Sequence, residues 1–327
     1  MSKRAASRDT SSSLSTRIDK TMKTIVYHEY GPADVLQIQE AAKPVPRDHE
    51  ILVKIHATTV TIGDTIMRSL RIPGSRWQRL FARIFLGIRK PKRAILGMEL
   101  SGEIESTGRN VQRFKVGDAI FASTFAMNFG GYAEYKCLPE KGVVAIKPVN
   151  LTYQEAAAAP GAGMTALQCL RKGKLQRGQK VLIYGASGAV GTCAVQLAKH
   201  HFGADVTGVC STANLELVRA LGADTAIDYT REDFTQRGET YDVIFDAVGK
   251  ASRSHAKRVL KKTGIYLNVH TSSDGGDSVE NLVALRELIE AGKIKPVIDR
   301  CYPFEQIVAA HRYVDQGHKK GNVVVNI

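Results

Sequence analysis

The chain has 327 residues, of which 43% are hydrophobic and 24% charged, a composition typical of a globular protein with room for two domains. No run of about 18 apolar residues occurs, so the sequence predicts no membrane-spanning helix. Five scattered cysteines without a Cys-x-x-Cys pair favour reduced thiols and a cytoplasmic location. The formal net charge of +14 predicts an anionic partner: a phosphorylated cofactor, a nucleic acid or a membrane surface.

Residues 1–21 are rich in Ser, Thr, Arg and Lys and contain almost nothing apolar to bury. Such a segment cannot offset the entropy lost on ordering, and we expect a disordered tail. Either this tail is part of the protein or the natural start lies at Met22.

Residues 22–150 predict a compact, mostly antiparallel β domain. Short β-type segments alternate there with Gly, Pro and Asp turns. The predicted strands are Thr24–Tyr27, Ile51–His56, Gly102–Ser106, Ala119–Phe121 and Val143–Ile146.

Residues 151–291 show a different rhythm, in which strands alternate with helices. That alternation predicts a doubly wound parallel sheet, and residues 292–327 are expected to return to the first domain. After a helical stretch at Tyr153–Leu170, the predicted strands are Lys180–Tyr184, Asp205–Cys210, Thr225–Ile227, Asp242–Asp246 and Gly264–Val269, with Pro296–Ile298 and Asn322–Asn326 near the end. The predicted helices are Ala189–Phe202, Asn214–Leu221, Ser254–Leu260 and Val279–Ala291.

A glycine-rich turn follows the apolar strand Lys180–Tyr184 and opens a helix. Backbone N–H groups at a helix start attract a diphosphate, and glycines let the backbone approach it closely. The turn therefore predicts a dinucleotide site. Its residues are Gly185, Ala186, Ser187, Gly188, Ala189, Val190 and Gly191.

The end of the next strand indicates which dinucleotide is bound. Ser211 and Thr212 stand where an acid would favour NAD, so the small hydroxyls favour NADPH, although Ala213 offers no cation for the 2′-phosphate. Tyr229, after the third strand, either stacks near the adenine or is a surface residue. Val248, Asn268, Val269 and His270 follow later strands and are further cofactor candidates; His270 is either a proton donor or an exposed loop residue.

The order of motifs along residues 22–327 resembles the medium-chain dehydrogenase/reductase superfamily, in particular its zinc-free quinone oxidoreductase branch. The resemblance implies a GroES-like β domain, a Rossmann-like cofactor domain and a catalytic cleft between them. The motifs are Tyr30–Pro32 with Leu36, Gly63–Thr65 with Arg68, Gly97–Gly102, Gly108, Val116–Asp118, Gly131–Tyr135, Pro160–Ala166, the glycine turn and Gly317–Val323.

The zinc ligands of the metal-dependent members of this superfamily are missing from the matching positions. Met98 replaces a histidine, Thr61–Asp64 contains no thiol, and the third ligand falls near Gly161. Cys137 alone lies in the region of the structural four-cysteine lobe. Because zinc requires Cys, His or carboxylate ligands, we expect no metal.

Without a Lewis acid, hydride transfer to a conjugated carbonyl is favoured over alcohol oxidation, because the developing charge spreads onto an oxygen. The substrate is therefore expected to be a small, apolar quinone, enone or enal. Thr61, Asp64 and Tyr132 are the candidates for the nicotinamide end of the cleft. For Asp64 a structural role at a helix start is the alternative, and for Tyr132 a packed aromatic.

Two segments depart from the superfamily pattern. Residues 76–93 form an insertion with an apolar stripe at helical spacing, and no acid occurs between Thr65 and Met98. The insertion is expected to cover the β domain, to act as a lid, or to touch a membrane. Between Asn268 and Val279 a short polar loop replaces the relatives' dimerisation strand, so a monomer and a homodimer are both open.

Two rival functions remain open. One is an NAD(P)-dependent alcohol dehydrogenase with a metal. The other is an NADPH-binding recognition protein on membranes or nucleic acid; nucleic acid is disfavoured because the aromatic residues of the insertion share its apolar stripe instead of forming an exposed stacking platform.

Overall fold

The structure is a computed structural model that describes residues 21–72, 76–272 and 277–327. Residues 1–20, and with them nearly all of the expected tail, lie outside the described residues, whereas Thr21 belongs to the first strand.

The first half of the chain contains seven strands and two helices within the described residues. The strands are β1 (Thr21–Val26), β2 (Gln37–Ala42), β3 (Glu50–Thr59), β4 (Glu99–Thr107), β5 (Ala119–Ser123), β6 (Tyr135–Pro139) and β7 (Val144–Ile146), and the helices are α1 (Ile62–Ser69) and α2 (Arg76–Leu86).

The second half alternates helices and strands. The helices are α3 (Tyr153–Ala157), α4 (Pro160–Lys172), α5 (Ala189–Gln196), α6 (Leu215–Ala220), α7 (Arg253–Ala256), α8 (Val279–Glu290) and α9 (Ile307–Asp315). The strands are β8 (Lys180–Tyr184), β9 (Asp205–Cys210), β10 (Thr225–Asp228), β11 (Tyr241–Asp246), β12 (Leu260–Asn268), β13 (Ile298–Pro303) and β14 (Asn322–Asn326).

A seven-stranded sheet has the order β13-β14-β3-β4-β5-β7, with β6 also paired to β3. Apart from the parallel pair β13–β14, its pairings are antiparallel. The strands β1 and β2 form a separate antiparallel ribbon. The last two strands of the chain thus pair with the sheet formed by the first half.

The five-stranded sheet has the order β10-β9-β8-β11-β12, and all of its pairings are parallel. The chain winds outward from β8 in both directions, so the loops after β8 and β11 lie side by side at the carboxyl edge of the sheet. The predicted fold class, a GroES-like β domain with a Rossmann-like parallel sheet, is confirmed.

Several predicted boundaries were wrong for identifiable reasons. The helical stretch Tyr153–Leu170 is two helices, because Pro160 lacks the N–H that would continue α3 and instead begins α4. The predicted helix Ser254–Leu260 ends at Ala256, and Leu260 already pairs with Tyr241 as the first residue of β12. The predicted helix Ala189–Phe202 changes after Gln196 into a π-helical turn, Leu197–His201.

The helix α2 does not cover the β domain with its apolar stripe. Trp77, Leu80, Phe81 and Ile84 are exposed, and so is Ile88 beyond its end. The hypothesis that these side chains cover the β domain is therefore wrong, whereas a role of this segment as a lid over the substrate cleft stays a prediction.

Candidate active site

The glycine turn lies between β8 and the start of α5 and determines how closely a ligand can approach the sheet. Gly185 has a φ of 79°, a left-handed conformation that favours glycine. A Cβ atom at Gly191 would lie 2.1 Å from the carbonyl oxygen of Gly185, so this glycine is required for helix and strand to pack. Gly185 is therefore favoured for its backbone conformation, whereas Gly191 is required for close packing.

Gly188 differs from its neighbours because a Cβ there would meet only the Gly185 oxygen, at 3.6 Å. Gly188 is also the N-cap of α5, where no side chain caps the helix. The first amides of a helix have no partner within the helix and carry its partial positive charge. A small anionic group such as a diphosphate fits this open, positively polarised place.

Asn214 joins the turn to the end of β9. Its Nδ2 donates to Ser187 Oγ at 3.0 Å and to Ser211 Oγ at 3.2 Å. Its Oδ1 is buried and has no hydrogen-bond partner among the described residues. Asn214 was not among the predicted site residues, because the sequence around a polar residue at a helix start does not show that its side chain contacts a distant turn.

Thr212 and Tyr229, both cofactor candidates, lie close to one carboxylate. Thr212 Oγ1 donates to Asp228, at the end of β10, and Thr230 donates to the same side chain from its N (2.9 Å) and its Oγ1 (2.7 Å). Hydrogen bonds, first that of Thr212, lower the pKa of Asp228. The end of β9 carries no acid, but Asp228 brings a carboxylate to the same place from the adjacent strand β10. Arg231 Nε lies 3.7 Å from Asp228 Oδ2.

Beside these residues a depression opens that is lined by aromatic and charged side chains. Tyr229 is exposed and lies 6.4 Å from Tyr184, ring centre to ring centre, and Tyr184 lies 5.9 Å from Phe234. The charged residues of the lining are Arg231, Lys250, Glu232 and Asp233. Flat aromatic walls with basic residues suit a purine nucleotide.

Asp246, at the end of β11, organises the loop that contains Val248. Its carboxylate accepts from the backbone N–H groups of Val248 (3.2 Å), Gly249 (2.8 Å) and Ala251 (2.8 Å). A Cβ at Gly185 would lie 2.6 Å from Val248, so this loop contacts the glycine turn directly. Val248 is thereby placed at the predicted cofactor site.

Asn268, Val269 and His270 follow β12 at the same edge of the sheet. Their backbone N–H groups donate to Ser272 Oγ, to Asp246 O and to Asn268 Oδ1, respectively. These amides are engaged within the protein, and a contact of the three residues with a nicotinamide stays a prediction. His270 is exposed and lies against Gly249.

Thr61 and Asp64 form a capping box at the start of α1. The Thr61 backbone N–H (2.9 Å) and Oγ1 (2.6 Å) donate to Asp64 Oδ2, and the Gly97 N–H donates to Oδ1 at 3.0 Å. Burial raises the pKa of Asp64 to about 6. Asp64 thus has the structural role given as its alternative, and Thr61 is the half-buried member of the pair.

Tyr132 lies in the core of the first sheet and is fully buried. The Tyr132 hydroxyl lies 3.0 Å from Nε2 of His311, and the other ring nitrogen of His311, Nδ1, accepts from Arg68 at 3.1 Å. Burial, with the Arg68 charge, holds the pKa of His311 well below its usual range, so the neutral ring donates from Nε2 to Tyr132. The packed-aromatic alternative describes Tyr132.

The positions that hold zinc in metal-dependent relatives do not fit a zinc ion. Met98 Sδ lies 3.4 Å from Thr61 Oγ1, and the Gly161 N–H donates to Glu99 Oε2 at 2.7 Å. A thioether, a hydroxyl and a glycine supply none of the usual zinc ligands. Across residues 21–72, 76–272 and 277–327 no cluster of three His, Cys, Asp or Glu side chains could hold a metal.

Two charged residues that the sequence did not mark as site candidates interact here, the buried Glu99 and the half-buried Lys319. Glu99 accepts from Thr59 Oγ1 at 2.5 Å, and burial raises its pKa to about 7. Burial lowers the pKa of Lys319 to about 8, opposed by the charge of Glu99. Lys319 precedes Gly321, whose N–H donates to Ser187 O in the glycine turn at 2.9 Å, so both charges lie where the two sheets meet.

Comparison with known proteins places the chain in a family. The model described as "Alcohol dehydrogenase GroES-like domain" matches residues 47–148, and models described as "Zinc-binding dehydrogenase" match residues 189–291 and 266–325. The chain belongs to the medium-chain dehydrogenase/reductase superfamily, as its motifs predict.

Individual relatives match nearly the whole chain. The 2-methylene-furan-3-one reductase of Solanum lycopersicum is 35% identical over 99% of this chain and 84% of its own. The chloroplastic NADPH-dependent alkenal/one oxidoreductase of Arabidopsis thaliana is 33% identical over 94% and 80%. The solved structure of the quinone oxidoreductase from Coxiella burnetii, 29% identical, covers 94% of this chain and 100% of its own, with a TM-score of 0.82.

Proposed function

We propose that this chain is a zinc-independent oxidoreductase that transfers hydride from NADPH to a small, apolar quinone or α,β-unsaturated carbonyl compound. The observation that carries the proposal is the open position at Gly188, at the start of α5. It is supported by Met98 and Thr61, which stand at a zinc position of the metal-dependent relatives and offer no zinc ligand. The relatives named as alkenal/one, methylene-furanone and quinone reductases support the substrate class.

The residues present fit a dinucleotide with its diphosphate at the glycine turn and its adenosine at the aromatic depression. When bound, the nicotinamide ring supplies the hydride. The chain's own part is to hold the diphosphate on the backbone amides of Ser187, Ala189 and Val190, since the Gly188 N–H already donates to Gly185 O, and to place the positive charge of Lys319 near the glycine turn. Val248, Asn268, Val269 and His270 form the wall on the nicotinamide side.

NADPH preference needs a cation, because Thr212 already donates its hydroxyl proton to Asp228. We assign that task to Arg231, whose exposed side chain lies beside Asp228 and lines the depression. Arg231→Ala is expected to raise the KM for NADPH about tenfold and to leave the KM for NADH unchanged, since only NADPH carries the 2′-phosphate. Arg219→Ala, an exposed change on α6, is the control; an equal effect on both cofactors would contradict the assignment.

At the substrate end, Thr61 is the proposed donor to the carbonyl oxygen. It gives its single hydroxyl proton to Asp64, so it donates to substrate only while Asp64 carries a proton. The pKa of Asp64, raised by burial to about 6, brings that protonated state close to neutral pH. Asp64 is then a positioning residue that acts through Thr61, and the buried Tyr132 lies beside Asp64 in the core.

The test is a substrate and cofactor panel. NADPH and NADH oxidation are followed with quinones, enones, enals and saturated aldehydes, before and after treatment with a chelator. We expect turnover with NADPH and conjugated acceptors, unaffected by chelation. Oxidation of simple alcohols that requires one tightly bound zinc per chain would instead show an alcohol dehydrogenase, and failure to bind either reduced cofactor would leave only a recognition protein.

A cytoplasmic location is part of the proposal. Among the described residues the five cysteines form no disulfide bond, and three of them, Cys169, Cys193 and Cys210, are buried, as expected in a reducing compartment. Within the described residues, no helix has the length and apolar character needed to cross a bilayer. Localisation of the full chain carrying a C-terminal fluorescent fusion would test this part.

A further inference from the structure

The apolar side chains of α2 face solvent. The exposed fractions are 71% for Trp77, 48% for Leu80, 67% for Phe81 and 49% for Ile84. At 3.6 residues per turn these four side chains occupy one arc of about 100° on the helix. They form the docking stripe, a continuous apolar surface that no described part of the chain covers.

The opposite side of α2 attaches it to the first sheet. Leu86 lies about 180° from the centre of the docking stripe and lines a small cavity with Tyr27 and Met67. Beyond the helix, Tyr30 Oη donates to Gly87 O at 2.9 Å. The helix is thus held from behind, with its stripe directed outward.

Positive charge borders the docking stripe. No acidic residue occurs between Thr65 and Met98. The exposed basic residues of this stretch are Arg71, Arg83, Arg89, Lys90 and Lys92. A surface with an apolar centre and a cationic border matches the two layers of an anionic bilayer, its acyl chains and its headgroups.

We propose that α2 is a membrane-docking helix that lies in the interface of a bilayer containing anionic lipids. A second copy of this chain is a poorer occupant, because two such surfaces would bring cations against cations. A nucleic acid would pair with the cations but leave the docking stripe in water. This proposal does not depend on the proposed reaction, because none of the stripe residues belongs to the candidate active site.

The experiment uses the full chain and its own fluorescence. Trp77 is the single tryptophan of the protein, so tryptophan emission reports on the docking stripe alone. We expect a blue shift, and quenching by brominated acyl chains, on adding phosphatidylcholine vesicles with about one third phosphatidylserine, and much less with phosphatidylcholine alone. Added salt should weaken the binding.

The decisive variant is Ile84→Asp, which puts a charge in the stripe and keeps Trp77. It should lower vesicle binding by at least tenfold, about the effect of charging one membrane-facing position. Val149→Asp changes an equally aliphatic side chain that is 85% exposed and distant in sequence, and it should bind as the unchanged protein does. Unchanged thermal midpoints in both variants show that they fold.

Several results would overturn the proposal. They are no shift with anionic vesicles, an equal loss of binding in the two variants, a shift with RNA but not with lipid, or a shift that depends on protein concentration without vesicles. The last two outcomes would assign the stripe to a nucleic acid and to self-association, respectively.

Discussion

Gly188 and Gly191 are three residues apart, yet the fold itself requires glycine only at Gly191. A side chain at Gly191 would collide with the backbone of the same turn, whereas one at Gly188 would enter open space above α5. A substitution at Gly188 should therefore affect ligand binding, whereas one at Gly191 should affect folding.

Gly188→Ala and Gly191→Ala should have opposite signatures. We expect Gly188→Ala to keep the thermal midpoint within a few degrees and to weaken NADPH binding at least about tenfold, because the methyl group occupies the diphosphate position. Gly191→Ala should lower stability by about 1–3 kcal/mol through overpacking. Thermal unfolding and cofactor titration measure both effects, and unchanged NADPH affinity in Gly188→Ala would contradict the proposed site.

Glu99 gives stability a pH dependence with a definite sign. Its pKa in the folded protein, about 7, is raised above the ordinary value of 4.5, so the folded state holds this proton more tightly than the unfolded state. Between pH 4.5 and 7 this group therefore makes the protein less stable as the pH rises.

Glu99→Gln removes that effect. The variant should gain up to about 3 kcal/mol relative to the unchanged protein as the pH rises from 4.5 to 7, on top of a constant offset from its altered hydrogen bonds. Urea unfolding at several pH values measures the difference. A difference that stays constant with pH would show that Glu99 titrates normally.

For single residues, the sequence predicted contacts within one segment of the chain but not contacts between residues that are distant in sequence. The glycine turn carries its own signature in seven consecutive residues, and the structure places it after β8 as expected. Asn214 contacts Ser187, 27 residues away, and Lys319 interacts with Glu99, about 220 residues away, and no spacing rule marks such contacts. Asp64 and Tyr132 were recognisable as candidates, but only their buried partners distinguish structure from chemistry.

Among the elements, α1 and α9 are joined by one buried cation. Arg68 is 2% exposed and donates from Nε to Gly31 O at 3.2 Å, and from its terminal nitrogens to His311 and to Asp315 Oδ2, the latter at 2.8 Å. Through His311 the same network reaches Tyr132. The start of the chain, its middle and its last helix are thus connected at a single side chain.

Arg68→Met is expected to lower the free energy of unfolding by about 2–4 kcal/mol, because buried acceptors lose their donor. Arg312→Ala is a matched control on α9: it removes an ion pair with Asp34 whose two side chains are each 59% exposed, and it should cost less than about 1 kcal/mol. Equal losses in the two variants would mean that the buried network contributes nothing of its own.

The elements of the parallel sheet were the most predictable. Lys180–Tyr184 and Asp205–Cys210 were predicted with their observed bounds, because each is a short apolar run between turns. The exposed strand β2 carries no apolar alternation, and its pairing with β1 is decided by tertiary structure. The apolar spacing predicted α2 correctly as a helix but did not predict that its apolar face is exposed, since periodicity does not show which part of the protein that face contacts.

For the whole molecule, the edge of the parallel sheet bears on oligomeric state. β12 is an outer strand, and no further described strand pairs with it. The short polar loop expected after β12 falls partly on residues 273–276, which lie outside the described residues.

We expect a monomer of 35.7 kDa in solution. The expectation follows from the sequence, in which a short polar stretch stands where the resemblance implies a dimerisation strand. Sedimentation equilibrium over a wide range of protein concentrations, with and without NADPH, measures the mass. A stable species of twice that mass would contradict it and would point to pairing through β12.

The position of β14 has a consequence for how the protein is made. This strand lies between β13 and β3 in the first sheet, although about 260 residues separate it from β3 along the chain. A nascent chain can complete its parallel sheet first, but the sheet that β3 begins stays open until residues 322–326 have been made. The unpaired edge of β3 is therefore exposed during synthesis of the whole parallel sheet, which favours recognition by chaperones.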